Sequence, residues 1–345
     1  MWLTSSSIGR KFVMAITGVC LVLFVTFHVL MNSVALLWPT AYNSICEFLG
    51  ANWYALAASA GLALLFIIHI IYALWLTVQN RRARGADRYA VNTLPPHVEW
   101  SSKNMLVLGI VVVAFLVVHM IQFWAKMQLQ ELVSHELTAL PTVAGAPASP
   151  AMGTLFLQLA FEQWYTPVIY IIGFVALWFH MNHGFWSMFH TVGWDNNVWI
   201  NRLKTIGCWW TTIVVGLFTL QAVVFTVQAH NNFFLEDQQL QAQYGEFWGE
   251  KAEAVMEDFQ NAASAALSAT ESNPNAQQAA QIDFFCNEAP KYVEQANALI
   301  SAAEKQCPGV TNQSISTLKR FANSIEQQCE YAKTLLPTQT TENNQ

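Results

Sequence analysis

The sequence predicts an all-α membrane protein: a bundle of five transmembrane helices followed by a helical extension outside the membrane. Three observations predict it. Of the 345 residues, 54% are hydrophobic and only 11% charged, an imbalance typical of membrane proteins. Five apolar runs reach the roughly 20 residues that a helix needs to cross a hydrocarbon core of about 30 Å. Charge changes sign along the chain: residues 1–230 hold ten basic and seven acidic groups, residues 231–345 six basic and fifteen acidic.

The runs lie at about 12–37, 53–78, 103–128, 164–190 and 204–228. The first is too long for a signal peptide and no small-residue cleavage site follows it, so it reads as a retained anchor. Basic residues gather beside the inner ends of membrane helices. Arg10 and Lys11 precede the first run, Arg81, Arg82, Arg84, Arg88 and Lys103 fill the loop before the third, and Arg202 and Lys204 precede the fifth. In a five-helix topology these nine share one side, which puts the N-terminus inside and residues 231–345 outside. Only Lys126 breaks the pattern.

The extension is rich in Ala, Gln and Glu, with helical runs at 238–269, 276–286, 292–305 and 314–335. Ser272-Asn273-Pro274-Asn275 and Pro308-Gly309 separate them as breakers. A small helical bundle is expected; with few aromatic residues after Trp248, the alternative is a partly mobile tail. Cys20 and Cys208 fall in spans, and Cys46, Cys286, Cys307 and Cys329 outside them. An oxidising outer compartment would permit disulfides among the last three. No C-x-x-C-H is present, so covalent haem attachment is not indicated.

Nine histidines occur. His97, His135 and His230 fall in loops or at a span end and read as solvated. Those inside spans carry more information, because an ionisable group in hydrocarbon is costly. His28, His69, His119 and His180 each lie sixteen residues past the start of their run. At 1.5 Å per residue this is about 24 Å along a helix of roughly 36 Å. Alternate helices run in opposite directions, so His28 and His119 share an outer level, and His69 and His180 an inner one about 12 Å away.

Two facing imidazoles supply both axial ligands of a haem iron. A single membrane histidine can serve only as a hydrogen-bonding group between helices, but four at matched depths point to two stacked haems. Imidazole suits the task because one ring nitrogen binds iron while the other donates a hydrogen bond that fixes the ring; in a helix the expected acceptor is the carbonyl four residues earlier, Ala176 for His180. Gly184, four residues beyond His180 on the same face, would leave room for the porphyrin.

Several segments together resemble a known family, the single-chain, five-helix, dihaem cytochrome b subunit of succinate:quinone oxidoreductases, quinol:fumarate reductases included. They are SSSIGRK at 5–11, His28 with Asn32, AYNSICEFLGANWYAL at 41–56, IIHIIYALWLTVQNRRARG at 67–85, NMLVLG at 104–109 and FHMNHGFWS at 179–187 with Gly193-Trp194 beyond. The resemblance covers residues 1–229. It implies haem b on His69 with His180 and on His28 with His119. It selects His180 over His183, because His180, Gly184 and Gly193 fit the family spacing, and leaves His183 as an accessory polar group.

The resemblance also implies an electron-transfer role between (mena)quinol or quinone and an iron-sulfur subunit, itself attached to an FAD flavoprotein at the inner face. FAD and iron-sulfur clusters have no signature in this chain; no nucleic acid is expected among its partners. The quinone is expected near the outer haem. Glu47 is the acidic candidate for taking up the quinol proton, with Tyr42, Trp53, Gln122 and Glu162 as weaker candidates that also fit plain interfacial anchoring. The acidic extension departs from the family, whose members commonly stop near the fifth helix. Two other readings share part of this pattern: a dihaem cytochrome serving a hydrogenase or formate dehydrogenase, and a haem-free transport or structural protein.

Overall fold

The computed structural model describes residues 6–84, 100–133, 140–194, 196, 198–268, 274–310 and 312–335. Arg88, His97, His135 and the Ser272-Asn273 breaker lie outside the described residues. The chain divides into two units, one of residues 1–140 and 150–234, the other of residues 141–149 and 235–345.

The first unit contains five helices long and apolar enough to cross a membrane. Helix α1 (Ser7–Leu37) starts earlier than its apolar run because Ser6 caps it, accepting from the Gly9 N–H at 2.9 Å. It stops at Trp38, where Pro39 opens α2 (Pro39–Ala51) in the first-turn position that proline tolerates. Helix α3 is Trp53–Arg84 and α4 is Trp100–His119. The third span departs from expectation. Directly after His119 the backbone becomes a π-helical turn, Met120–Trp124, and a turn at 125–127 then separates it from the short α5 (Gln128–Val133). The continuous helix expected to 128 therefore ends at the histidine; such π turns are invisible to apolar periodicity and recur at functional sites.

A buried helix that the sequence reading did not anticipate, α6 (Gly153–Phe161), precedes α7 (Tyr165–Thr191) and α8 (Trp199–His230). Helices α1, α3, α4 and α7 follow one another as neighbours around a square, and α8 packs on α7 and α1. Close approaches and polar ties hold them. A Cβ on Gly173 of α7 would lie 2.7 Å from Cδ2 of Phe115 on α4, so only glycine allows that contact. Gln221 of α8 donates to the Val29 carbonyl at 2.9 Å and to Ser33 Oγ at 2.8 Å, both on α1. Such side-chain amides join helices where lipid supplies no hydrophobic driving force.

The outward faces are apolar, with Leu64, Ile67, Ile71 and Leu74 exposed on α3. Exposed tryptophans stand at both ends: Trp38, Trp53 and Trp164 at the end where α1 finishes, Trp100, Trp194 and Trp199 at the end where it starts. Exposed apolar area of this extent rimmed by tryptophan marks a multi-pass membrane protein. The end where α1 finishes, the far end, also gathers α2, α5 and α6, which pack on one another through α2. Asn43 of α2 accepts from both the N–H and the hydroxyl of Thr154 at 2.9 Å, docking α6.

The second unit is helical, with α9 (Gln238–Ser268), α10 (Pro274–Asp283), α11 (Ala289–Gln306) and α12 (Gln313–Thr334). The gap expected between 286 and 292 is instead a π-helical turn, Phe284–Glu288, leading into α11 with Pro290 in its first turn. Gly309, at φ +90°, sits in the predicted break, and Asn312 caps α12. The hairpin Thr142–Val143 and Ala146–Pro147 turns through Ala144 and Gly145, both at positive φ as a two-residue hairpin loop favours. Its core includes Trp248, whose Nε1 donates to Gln306 at 2.8 Å, and Phe259 packed on Phe284, Tyr292 and Phe321. Few aromatics thus suffice, because they converge. No disulfide forms; Cys286, Cys307 and Cys329 are free thiols, and burial pushes the Cys307 thiol up to about 12.

Candidate functional site

Each histidine pair reaches across one diagonal of the α1, α3, α4, α7 square. His28 of α1 meets His119 of α4 with ring centroids 5.8 Å apart and planes at 84°. His69 of α3 meets His180 of α7 at 6.3 Å and 67°. With metal–nitrogen bonds of about 2 Å and about 1 Å more to each ring centre, two imidazoles on opposite sides of one iron have centroids roughly 6 Å apart. Both pairs have that spacing. No group of three or more His, Cys, Asp or Glu residues gathers among the described residues. Two ligands per site suit a metal whose remaining positions are filled by a macrocycle, and do not suit a tetrahedral protein-ligated ion.

The other ring nitrogens are held by hydroxyls from neighbouring helices. His69 Nδ1 lies 3.0 Å from Thr17 Oγ1 of α1, and that hydroxyl is also 2.9 Å from the Val13 carbonyl. Thr17 has one hydrogen, which the carbonyl takes, so its oxygen accepts the His69 Nδ1–H and leaves Nε2 with a free lone pair. His119 is oriented by a longer chain. Its Nδ1 lies 3.1 Å from Tyr170 OH, Tyr170 donates to Gln122 Oε1 at 2.9 Å, and Gln122 Nε2 donates to Thr166 Oγ1 at 3.0 Å. The same count leaves His119 Nε2 free.

His28 and His180 differ. Asn32 Nδ2 lies 3.1 Å from His28 Nε2, so ligation through that nitrogen replaces this hydrogen bond. His180 Nδ1 is buried with no hydrogen-bond partner. The expected bond to the Ala176 carbonyl is not made, which corrects the i−4 assignment for His180; His69 and His119 use a hydroxyl on a packed neighbour instead, and His28 uses Asn32 of its own helix.

Glycines stand on the helices that carry the pairs. A Cβ on Gly184 would meet nothing within 4 Å, whereas one on Gly109 would lie 3.6 Å from His180 Cε1 and one on Gly18 3.9 Å from His69 Cε1. The spacing of the two imidazole pairs is what fits a tetrapyrrole iron held by paired histidines. The ring of His183 packs against Trp186 at 4.8 Å.

At the far end, Glu47 is exposed on α2, and the carboxyl of Glu131 on α5 rests against Gly50 of α2, where a Cβ would fall 2.6 Å from Glu131 Cδ. Burial, and then the charge of Glu47, raise the Glu131 pKa above its ordinary range. Tyr42 and Cys46 are pressed against Gly153 of α6, and burial drives both groups upward, Cys46 to about 12. Trp53 and Glu162 are exposed. Gln122 is not spare for a ligand at both ends, since its amide bridges Tyr170 and Thr166. Thr17, Tyr170, Thr166 and Glu131 were missed by sequence reasoning; only Glu131, an acidic residue just past a span end, carried a signal that could have found it.

No family model, curated protein or solved structure matches the chain.

Proposed function

We propose that this chain is the dihaem cytochrome b membrane anchor of a succinate:quinone oxidoreductase, carrying electrons between quinol or quinone in the membrane and an iron-sulfur subunit. The observation that carries the dihaem part is the pair of imidazole contacts at 5.8 and 6.3 Å across the two diagonals of one helix square. The assignment to succinate or fumarate chemistry is supported by the ordered sequence landmarks in residues 1–229. His28 with His119 would hold one haem b and His69 with His180 the other. Each haem supplies a one-electron redox centre, and the two at different depths allow charge to cross the membrane.

The chain's own residues do the rest. Thr17 and Tyr170 hold two of the four imidazoles through Nδ1, which leaves Nε2 as the nitrogen for iron. The apolar helices exclude water and supply a low dielectric. At the far end, quinol oxidation releases protons that need an acceptor at the membrane surface. Glu47 takes this role with Glu131 beside it: an exposed carboxylate and a half-buried one of raised proton affinity form a route outward.

In this reading the quinone is menaquinone, the protein resides in the inner (cytoplasmic) membrane, and the N-terminus is cytoplasmic with residues 231–345 outside. The inner surface formed by the basic segments at 81–103 and 191–204 docks the iron-sulfur subunit, with the flavoprotein beyond it. Purification of the native complex, a reduced-minus-oxidised spectrum and identification of the bound subunits test cofactor and partners together. A b-type spectrum with flavoprotein and iron-sulfur partners is expected. A hydrogenase or formate dehydrogenase partner would reassign the enzyme while keeping the haems.

A further inference from the structure

The four proposed ligands are not held alike. His119 alone is tied to a chain of three successive side-chain hydrogen bonds, through Tyr170 and Gln122 to Thr166. Tyr170 is 4% exposed and Thr166 fully buried. The tyrosine ring is wedged by Phe115, Phe161 and Phe174, with centroids 5.0, 5.3 and 5.8 Å away, so its oxygen is a fixed point. Gln122 lies in the π-helical turn that begins one residue after His119. The turn therefore aims the amide back at the tyrosine that holds the ligand preceding it.

Direction along the chain matters. Thr166 Oγ1 accepts from the Gln122 amide nitrogen, which leaves the Gln122 carbonyl oxygen facing Tyr170. Tyr170 must then give its only hydrogen to Gln122 and can meet His119 Nδ1 only as an acceptor. A ligand imidazole whose second N–H is accepted by a partner is fixed in tautomer and made a more basic donor to its metal. A more basic axial ligand favours ferric iron.

We infer that Tyr170, set by Gln122 and Thr166, is a positioning residue that lowers the potential of the far-end haem relative to what His119 alone would give. The inference rests on the dihaem reading. Thr17 acts on the near-end haem through His69 by the same logic, but without the relay behind it, since its hydrogen goes to a backbone carbonyl. The two hydroxyls thus give the two haems separately adjustable potentials.

The test is a spectroscopic redox titration of the haem-loaded protein with Tyr170→Phe, which keeps the wedged ring and removes only the oxygen. The His28→Ala variant identifies which spectral component belongs to the far-end haem. We expect both haems retained and the reduced-to-oxidised ratio of the far-end haem raised roughly threefold to tenfold at fixed ambient potential, the size of one ordinary hydrogen bond. Its low-spin electron paramagnetic resonance signal, which reports the angle between the imidazole planes, should shift while the near-end signal stays. Gln122→Leu should move the same haem in the same direction by less, and Thr17→Val the other haem alone. Selective loss of the far-end haem from folded Tyr170→Phe would overturn the inference, since Tyr170 would then serve to retain the haem and not to set its potential. Unchanged potentials and signals in both Tyr170→Phe and Gln122→Leu would overturn the inference while leaving the dihaem reading intact. A wild-type chain that takes up no haem would overturn the dihaem reading itself.

Discussion

Substituting Gly184 separates stability from cofactor binding, because the two respond with opposite sign. A Cβ placed at Gly184 meets no atom within 4 Å, so alanine there introduces no clash. It removes a helix-interior glycine, which costs about 0.5–1 kcal/mol relative to alanine. For a unit of this size that gain raises the melting temperature by about 1–3 °C. Gly184 also lies four residues beyond His180, on the helix face that would lie along the plane of a haem ligated there. Leucine at this position projects several carbons into that plane. The haem-free chain in detergent is therefore expected to melt at or above the wild-type temperature for both variants. The haem-loaded protein is expected to lose the near-end haem in Gly184→Leu, partly or wholly in Gly184→Ala, and to keep the far-end one. Thermal unfolding by circular dichroism and haem counts on the same preparations give both numbers. Two haems with an unchanged spectrum in Gly184→Leu would refute the reasoning, since that face would then be lined by lipid alone.

Gly173→Ala is the opposite case: its methyl would sit 2.7 and 2.8 Å from Phe115 Cδ2 and Cβ, an overpacking worth about 1–3 kcal/mol, and thermal unfolding should show the loss directly. His180→Ala is expected to lose one haem of two while His183→Ala retains both, because the ring of His180 lies 6.3 Å from that of His69, the spacing that two ligands of one iron need; haem counts on the pair decide it, and the reverse pattern would transfer the ligand role to His183. Glu131→Gln should alter stability with pH. The folded-state pKa of Glu131 is raised above its ordinary 4.5 by burial and then by Glu47, so its ionisation opposes folding as pH rises through 4.5 and beyond, and contributes nothing below it. The variant should therefore melt higher than wild type at neutral pH and equal to it near pH 4, and an equal shift at both would exclude this cause. Glu47→Gln should slow quinol oxidation with haem content intact, measured as turnover with a soluble quinol analogue; unchanged turnover would remove Glu47 from the proton route.

Much of the fold was legible in the sequence because hydropathy measures the quantity that decides it. Spans 53–78 and 204–228 each fall within a single helix, 164–190 does so from its second residue, and α1 exceeds its apolar run only because a serine cap adds a polar turn. The third span misled because a π turn carries no compositional mark: Met120–Trp124 continues the apolar run with Gln122 as its one polar residue. Helix α6 was missed for a related reason. Nine residues are too few to register as a span, and its burial depends on α2 and α8, which are distant in sequence. Depth along each helix placed the histidines in pairs, since a constant rise converts residue number into height. It could not give their hydrogen-bond partners. Thr17 and Tyr170 reach His69 and His119 from helices 52 and 51 residues away, a relation set by helix rotation and packing, which periodicity alone does not encode. The nearer guess, a carbonyl on the same helix, was wrong for His180.

The most direct measurement is the haem content of the purified full chain by pyridine haemochrome, alongside the four single variants His28→Ala, His69→Ala, His119→Ala and His180→Ala. Two non-covalent protohaems per wild-type chain are expected. Each variant should retain one, with His28→Ala and His119→Ala sharing one residual spectrum and His69→Ala and His180→Ala sharing the other. A wild-type stoichiometry of zero or one, or residual spectra that group the histidines in any other way, would contradict the account.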